Sequence, residues 1–175
     1  MGSVQAEPYE FEFDPRTCAL MIIDMQRDFV DPGGFGEALG NDVSLLRKAI
    51  APTKTVLDAA RKVGMLVVHT REGHRQDLSD LPQNKKLRGK LKAGIGDPGP
   101  MGRILVRGEY GHDIVDELKP LPGEPITAVS PSVISICDCA FLVKMVGSPR
   151  APVLTKSASF FWTWTSSKTE PSLVT

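Results

Sequence analysis

Cysteine is scarce in this chain of 175 residues: there are three, Cys18, Cys137 and Cys139. So few, so unevenly spaced, cannot form the disulfide framework of a small secreted domain and fit a reducing compartment. Neither sign of charge is in excess, since 21 Lys plus Arg balance 21 Asp plus Glu. No global positive field would therefore hold nucleic acid or an anionic lipid surface. Long apolar runs are missing as well. The longest, Val133 to Val143, is interrupted by Asp138 and has about half of the roughly 20 residues a membrane helix needs. Met1 to Pro15 carries Glu7, Glu10, Glu12 and Asp14 with no basic start or apolar stretch, unlike a secretory or transit peptide. We expect a cytoplasmic protein with neither nucleic acid nor membrane as partner.

Apolar residues at 41% and charged residues at 24% are enough to bury a core, and the length predicts one domain or a domain with a tail. Cys18 to Ile23 is a short continuous apolar run ending at Asp24, the pattern of a strand buried on both faces of a parallel sheet. Asp31, Pro32, Gly33 and Gly34 mark a loop after it. A helix follows, capped by Asn41 or Asp42 and periodic through Arg61 to Gly64, with a kink expected at Pro52. Met65 to His69 is a second buried strand, which completes the length of a βαβ unit. Thr70 to Glu109 is long for a connection and rich in charge, Gly and Pro, and so predicts a functional or interface element. Within it Gly94 to Gly102 has the glycine content of a phosphate cradle, but two prolines remove donors and no strand feeds it, so an ordered loop is expected. Gly111 to Leu118 predicts a short helix and Glu124 to Ile126 the start of a third strand.

Five segments recur in a known order: Ala19-Leu-Met-Ile-Ile-Asp24-Met-Gln-Arg-Asp-Phe29 with the Asp-Pro-Gly-Gly turn after it, Val67-Val-His-Thr-Arg-Glu-Gly-His74, Gly99-Pro-Met-Gly-Arg-Ile-Leu-Val-Arg-Gly-Glu109 and Pro122-Gly-Glu-Pro125. Together they resemble the isochorismatase-like cysteine hydrolases, and within them the amidohydrolase branch similar to ureidoacrylate amidohydrolase and biuret hydrolase. The resemblance covers about residues 10 to 126. It implies an α/β fold, a three-layer Rossmann-like parallel sheet with helices on both faces, incomplete here at the C-terminus, and assembly into homo-oligomers. It also implies cleavage of a C–N bond in a small amide or ureide by an Asp, a Lys and a Cys. In such chemistry a nearby cation lowers the thiol pKa, a carboxyl group carries the proton and backbone N–H groups hold the oxyanion. No metal or organic cofactor is called for.

Asp24 matches the family's catalytic Asp, at the carboxyl end of a strand where open α/β sheets place their sites. Gln26 and Asp28 share its loop, where ordering the loop and lining the substrate are both open to them. His74 is a further candidate for lining the site or a subunit contact; His69, ending a strand, reads as structural. The Lys is expected just after Pro122-Gly-Glu-Pro125, yet the chain reads Ile126-Thr-Ala-Val-Ser130. Lys156, before Ser-Ala-Ser-Phe-Phe161, is a weak substitute, and Cys137 and Cys139 lack the setting of the family's nucleophile.

Composition shifts near residue 127: Ser plus Thr number 7 up to residue 126 and 15 from 127 to 175. We therefore divide the chain into residues 1–126, the N-terminal part of a hydrolase domain, and residues 127–175, an atypical tail. Trp162-Thr-Trp164-Thr-Ser-Ser, read with two bases dropped, permits an Asp-Leu-Asp-Leu helix of the family's kind. The expectation is that residues 127 to about 157 are translated intron or inserted sequence and that the rest is family sequence in a shifted frame. The function expected is an amide or ureide hydrolase of which the Asp alone is recognisable. The alternatives are a catalytically inactive truncated or regulatory variant, or a small-ligand binding module.

Overall fold

The computed structural model describes residues 2–5, 8–86, 93–129 and 143–147. A small antiparallel pair, β1 (Gly2–Val4) with β2 (Phe11–Phe13), precedes the main sheet. Then come β3 (Cys18–Ile22), the short helices α1 (Arg27–Val30), α2 (Phe35–Ala38) and α3 (Val43–Leu46), and the long helix α4 (Ile50–Lys62). β4 (Leu66–Glu72), α5 (Gln83–Lys86), the two-residue strands β5 (Pro98–Gly99) and β6 (Gly102–Arg103), β7 (Ile126–Val129) and β8 (Val143–Gly147) complete the order.

The main sheet runs β7-β4-β3-β8. β3 pairs with β4 and β4 with β7 in parallel, with Ile22 opposite His69 and Glu72 opposite Val129. The expected α/β fold, a parallel sheet flanked by helices, is therefore present. β8 departs from the all-parallel expectation: it pairs antiparallel with β3, Cys18 opposite Gly147 and Ile22 opposite Val143. It is also a strand within the atypical tail, because an edge of β3 can be satisfied through backbone hydrogen bonds alone.

Strand alternation sorts the sheet into two faces. Leu20, Ile22 and Val67 share one face and pack with Ile50, Leu57 and Ala60 of α4 and with Val115 and Leu118 in one core cluster. Ala19, Met21 and Val68, on the other face, are half-buried. The predicted helix of residues 42 to 64 divides into α3, a 3₁₀ turn at Arg47–Ala49 and α4. Asp42 caps α3, its Oδ1 accepting from the Ser44 N–H at 2.9 Å. Pro52 follows the 3₁₀ turn that interrupts the helix. It is the third residue of α4, where its missing N–H would have no partner within the helix.

α4 ends in two backbone bonds, Gly64 N–H to the Arg61 carbonyl and Met65 N–H to the Ala60 carbonyl, the Schellman arrangement, with Gly64 at φ +68. A side chain there would strain the turn that sends the chain from α4 into β4. Gly64→Ala is expected to lower stability by about 1–2 kcal/mol, read as a shift of the urea midpoint at unchanged slope.

The described residues between 70 and 109 pack around a second, smaller core in which Phe35, Ala38, Leu81, Ile95, Ile104 and Leu105 meet. Pro98 to Arg103 is a tight β5–β6 hairpin, in accord with an ordered loop. The helix expected over Gly111 to Leu118 is only a 3₁₀ turn at Asp116–Leu118. Ile114 instead bridges Gln26 as an isolated extended pair, and Ile114 and Val115 turn into the main core. Cys137, Cys139 and Lys156 lie outside the described residues. Among the described residues no helix is long and apolar enough to cross a membrane.

Candidate functional site

Asp24 sits two residues past the end of β3 with φ at +52. Strand alternation alone would aim its side chain to the α4 face with Ile22 and His69. The left-handed backbone turns it instead toward Thr70, on the opposite face of β4. The Asp24 N–H donates to Thr70 Oγ1 at 3.1 Å, and the Thr70 hydroxyl donates to Asp24 Oδ1 at 2.7 Å. Strained backbone of this kind persists where its surroundings over-determine it, and it collects at functional sites.

Glu72 shares the face of Thr70, and its Oε1 accepts from Lys85 Nζ at 2.5 Å. Lys85 comes from α5 and is 9% exposed. Burial pushes the Asp24 carboxyl above its ordinary value. The Thr70 hydrogen bond draws it back, the Glu72 charge raises it further and the Lys85 charge lowers it. The result is a carboxyl with raised proton affinity, the property a proton carrier near neutral pH requires.

Gln26 is fully buried. Its Nε2 donates to the backbone carbonyls of Glu72 and His112, both at 2.8 Å, and its Oε1 accepts from the Glu72 N–H at 2.7 Å. Its backbone N–H also donates to the Asp24 carbonyl at 2.8 Å. In the described residues its amide is spent on holding the end of β4 against the Asp24 loop. Asp28 Oδ2 accepts from the Leu105 N–H at 2.8 Å, with its carboxyl pushed up by burial to about 6.

His74 is fully buried as well. Its backbone bonds to Leu105 and Arg107 fix the end of β4 to the segment of the second core. Its Nδ1 lies 3.4 Å from Asp80 Oδ1, and burial drives its pKa down. Neither ring nitrogen makes a hydrogen bond among the described residues. The Glu72 and Lys85 charges act on Asp24 and His74 alike, and Gln26 holds the Glu72 backbone. His69 is structural: its Nε2 is 3.1 Å from Glu124 Oε2, and Glu124 in turn takes two hydrogen bonds from Arg61 of α4.

Sequence reasoning missed Thr70, Glu72 and Lys85. Thr70 and Glu72 carry a signal, their shared parity inside the His-Thr-Arg-Glu-Gly-His segment. Lys85 carries none, because a lysine in a charged stretch reads as solvated until the fold buries it against Glu72. Gly73 has a steric cause: a Cβ there would meet His112 Nε2 at 2.3 Å. Cys18 is half-buried at the amino end of β3, and six residues of extended chain place it about 20 Å from Asp24. Among the described residues no group of three or more His, Cys, Asp or Glu could hold a metal ion.

A model of the Isochorismatase domain matches residues 18–128, from the first residue of β3 to the penultimate residue of β7. The chain belongs to the isochorismatase family. Among solved structures it is similar to an isochorismatase family protein from Desulfovibrio vulgaris, with 30% identity over 64% of this chain and 52% of that one and a TM-score of 0.47. A cysteine hydrolase from Pseudomonas syringae pv. phaseolicola matches at 20% identity over 68% and 49%, with a TM-score of 0.46. N-carbamoylsarcosine amidase from Thermoplasma acidophilum matches at 18% over 64% and 51%, with a TM-score of 0.42. This isochorismatase-family chain spans about half the length of the solved structures it matches.

Breaking the Glu72–Lys85 pair isolates a carboxylate beside Asp24 and removes the cation that lowers its proton affinity. In Lys85→Met the Asp24 titration midpoint is expected to move to higher pH. Carboxyl ¹³C chemical shifts measured from pH 3 to 8 read this, and an unmoved Asp24 midpoint would show that Lys85 does not act on it.

Proposed function

We propose that this chain carries the proton-transfer half of an isochorismatase-like hydrolase acting on a C–N bond of a small amide or ureide, with Asp24 as the residue that takes and returns the proton. One observation carries the reading: a strand-end carboxyl held by Thr70 on a left-handed backbone, its proton affinity raised by burial. A thiolate attacking the carbonyl carbon expels the amine, which leaves with a proton. Water then attacks the acyl-thioester, and the thiolate departs as the acid forms. The carboxyl of Asp24 is suited to shuttle the proton in both steps. The substrate branch similar to ureidoacrylate and biuret hydrolases, and homo-oligomeric assembly, belong to the same proposal.

A second reading has its own observation. By the resemblance, the lysine falls just after Pro122-Gly-Glu-Pro125, at the carboxyl end of β7, where Val129 stands opposite Glu72. β7 holds no cation (Ile126-Thr-Ala-Val129), which favours an inactive or ligand-binding variant. Ammonia release by the full chain from small amides and ureides separates the two. Thiol-dependent release, lost with iodoacetamide and in Asp24→Asn, supports the hydrolase. A folded chain without turnover overturns it, and thermal stabilisation by the same compounds would then favour binding alone.

A further inference from the structure

Arg71 and Ala128 are register partners on the α4 face of the sheet, and Ile126, opposite His69, lies on the same face. Thr70 and Glu72, which serve Asp24, point the other way. At the carboxyl end of this second face lies a cleft of about 310 Å³, separate from Asp24.

Two arginines line it, Arg71 and Arg107. Arg71 gives its Nη1 to Asp113 at 2.8 Å. Arg107 gives its Nε to the Gly73 carbonyl at 3.1 Å and its Nη2 to Asp80 at 3.2 Å. Nη2 of Arg71 and Nη1 of Arg107 make no hydrogen bond among the described residues. His112, 6% exposed and packed against Gly73, also lines the cleft. Its ring nitrogens have no hydrogen-bond partner among the described residues. Burial, and then the Arg71 charge, push its pKa down to about 4, so it is neutral at pH 7. Two guanidiniums with donors to spare and a neutral imidazole form a cradle for a planar anion, which arginine grips in bidentate fashion.

The rest of the wall narrows the class. Glu109 and Asp113 also line the cleft, and their charges oppose a multiply charged anion such as phosphate. Ile126 is 42% exposed and Ala128 is exposed, leaving an apolar wall beside the arginines. We propose that this cleft is a binding site for a small monocarboxylate, its carboxylate held by Arg71 and Arg107 and its short aliphatic body lying on Ile126 and Ala128. The site stands whether or not Asp24 takes part in hydrolysis.

The test uses the full chain and butyrate as probe, with butyramide and inorganic phosphate as controls. The readout is the His112 Cε1–H resonance and its titration midpoint. Butyrate is expected to shift the resonance saturably and to raise the midpoint by about one unit, since an anion beside an imidazole favours its charged form. Butyramide and phosphate should do neither. Arg71→Gln is expected to weaken butyrate binding at least tenfold. Ala128→Leu, which fills the cleft and leaves both arginines in place, is expected to weaken it comparably and covers the case in which Arg71→Gln does not fold. No saturable shift, an equal response to butyramide, or butyrate binding undiminished in Ala128→Leu would overturn the proposal.

Discussion

Gln26→Leu is expected to cost about 3–9 kcal/mol, a large share of the roughly 5–15 kcal/mol that holds a domain of this size together. Leucine has nearly the volume of glutamine, so the loss is not one of packing. The substitution strands the Glu72 N–H, the Glu72 carbonyl and the His112 carbonyl, each of which has the Gln26 amide as partner. An unsatisfied buried polar group costs about 1–3 kcal/mol, and three are created together. Gln26→Glu gives the decisive comparison. It keeps an acceptor for the Glu72 N–H but places a carboxylate against two carbonyl oxygens, so it should be at least as destabilising at neutral pH and should recover part of the loss on acidification. Urea titrations at pH 7 and pH 5 read both effects. If Gln26→Leu left stability within about 1 kcal/mol of wild type, Gln26 would not be the clamp between β4 and the Asp24 loop.

The same residues show what the sequence made legible. β3, β4 and the helix between them were readable because buried parallel strands require continuous apolar runs, and a Schellman stop at Gly64 requires a residue tolerant of positive φ. Asp24 was readable from its place at the end of such a run. The function of Gln26 was not, because its partners are backbone groups 46 and 86 residues away, which leave no trace in residue type. Lys85 escaped for a different reason: a lysine in a charged stretch looks solvated until the fold brings α5 against Glu72 of β4. The 3₁₀ turn at Asp116–Leu118 replaced an expected helix because Ile114 and Val115 do more by entering the core than a short helix could gain. β8 was unreadable because strand pairing at a sheet edge is specified by backbone more than by side-chain pattern.

Acid stability turns on Glu124. Its carboxylate takes two hydrogen bonds from Arg61 at 2.7 and 2.8 Å, lies 3.1 Å from His69 and caps the Leu121 N–H at 2.9 Å. It thereby joins α4, β4 and the turn leading into β7, which is the physical reason for Pro122-Gly-Glu-Pro125. The Arg61 hydrogen bonds, chiefly, hold its pKa at about 2, against 4.5 for a free glutamate. A folded-state pKa below the unfolded one means that the unfolded chain binds the proton first. The stability it supplies is therefore complete above about pH 4.5 and lost as pH falls toward 2. At about 1.4 kcal/mol per unit, this amounts to about 3 kcal/mol.

Other groups titrate over neighbouring ranges with both signs. His112, held at about 4, makes the fold lose stability as pH falls below 6.5, whereas Asp28, raised to about 6, makes it gain stability as pH falls from 6 to 3.8. These contributions are common to wild type and Glu124→Gln and drop out of their difference. The stability gap between the two proteins is therefore expected to narrow by about 3 kcal/mol between pH 6 and pH 2, with most of the change below pH 4.5. Urea midpoints taken across that range measure it. A gap that stayed constant with pH would show that Arg61 does not hold Glu124 ionised in the folded chain, and the link between α4 and β7 would have to reside in packing alone.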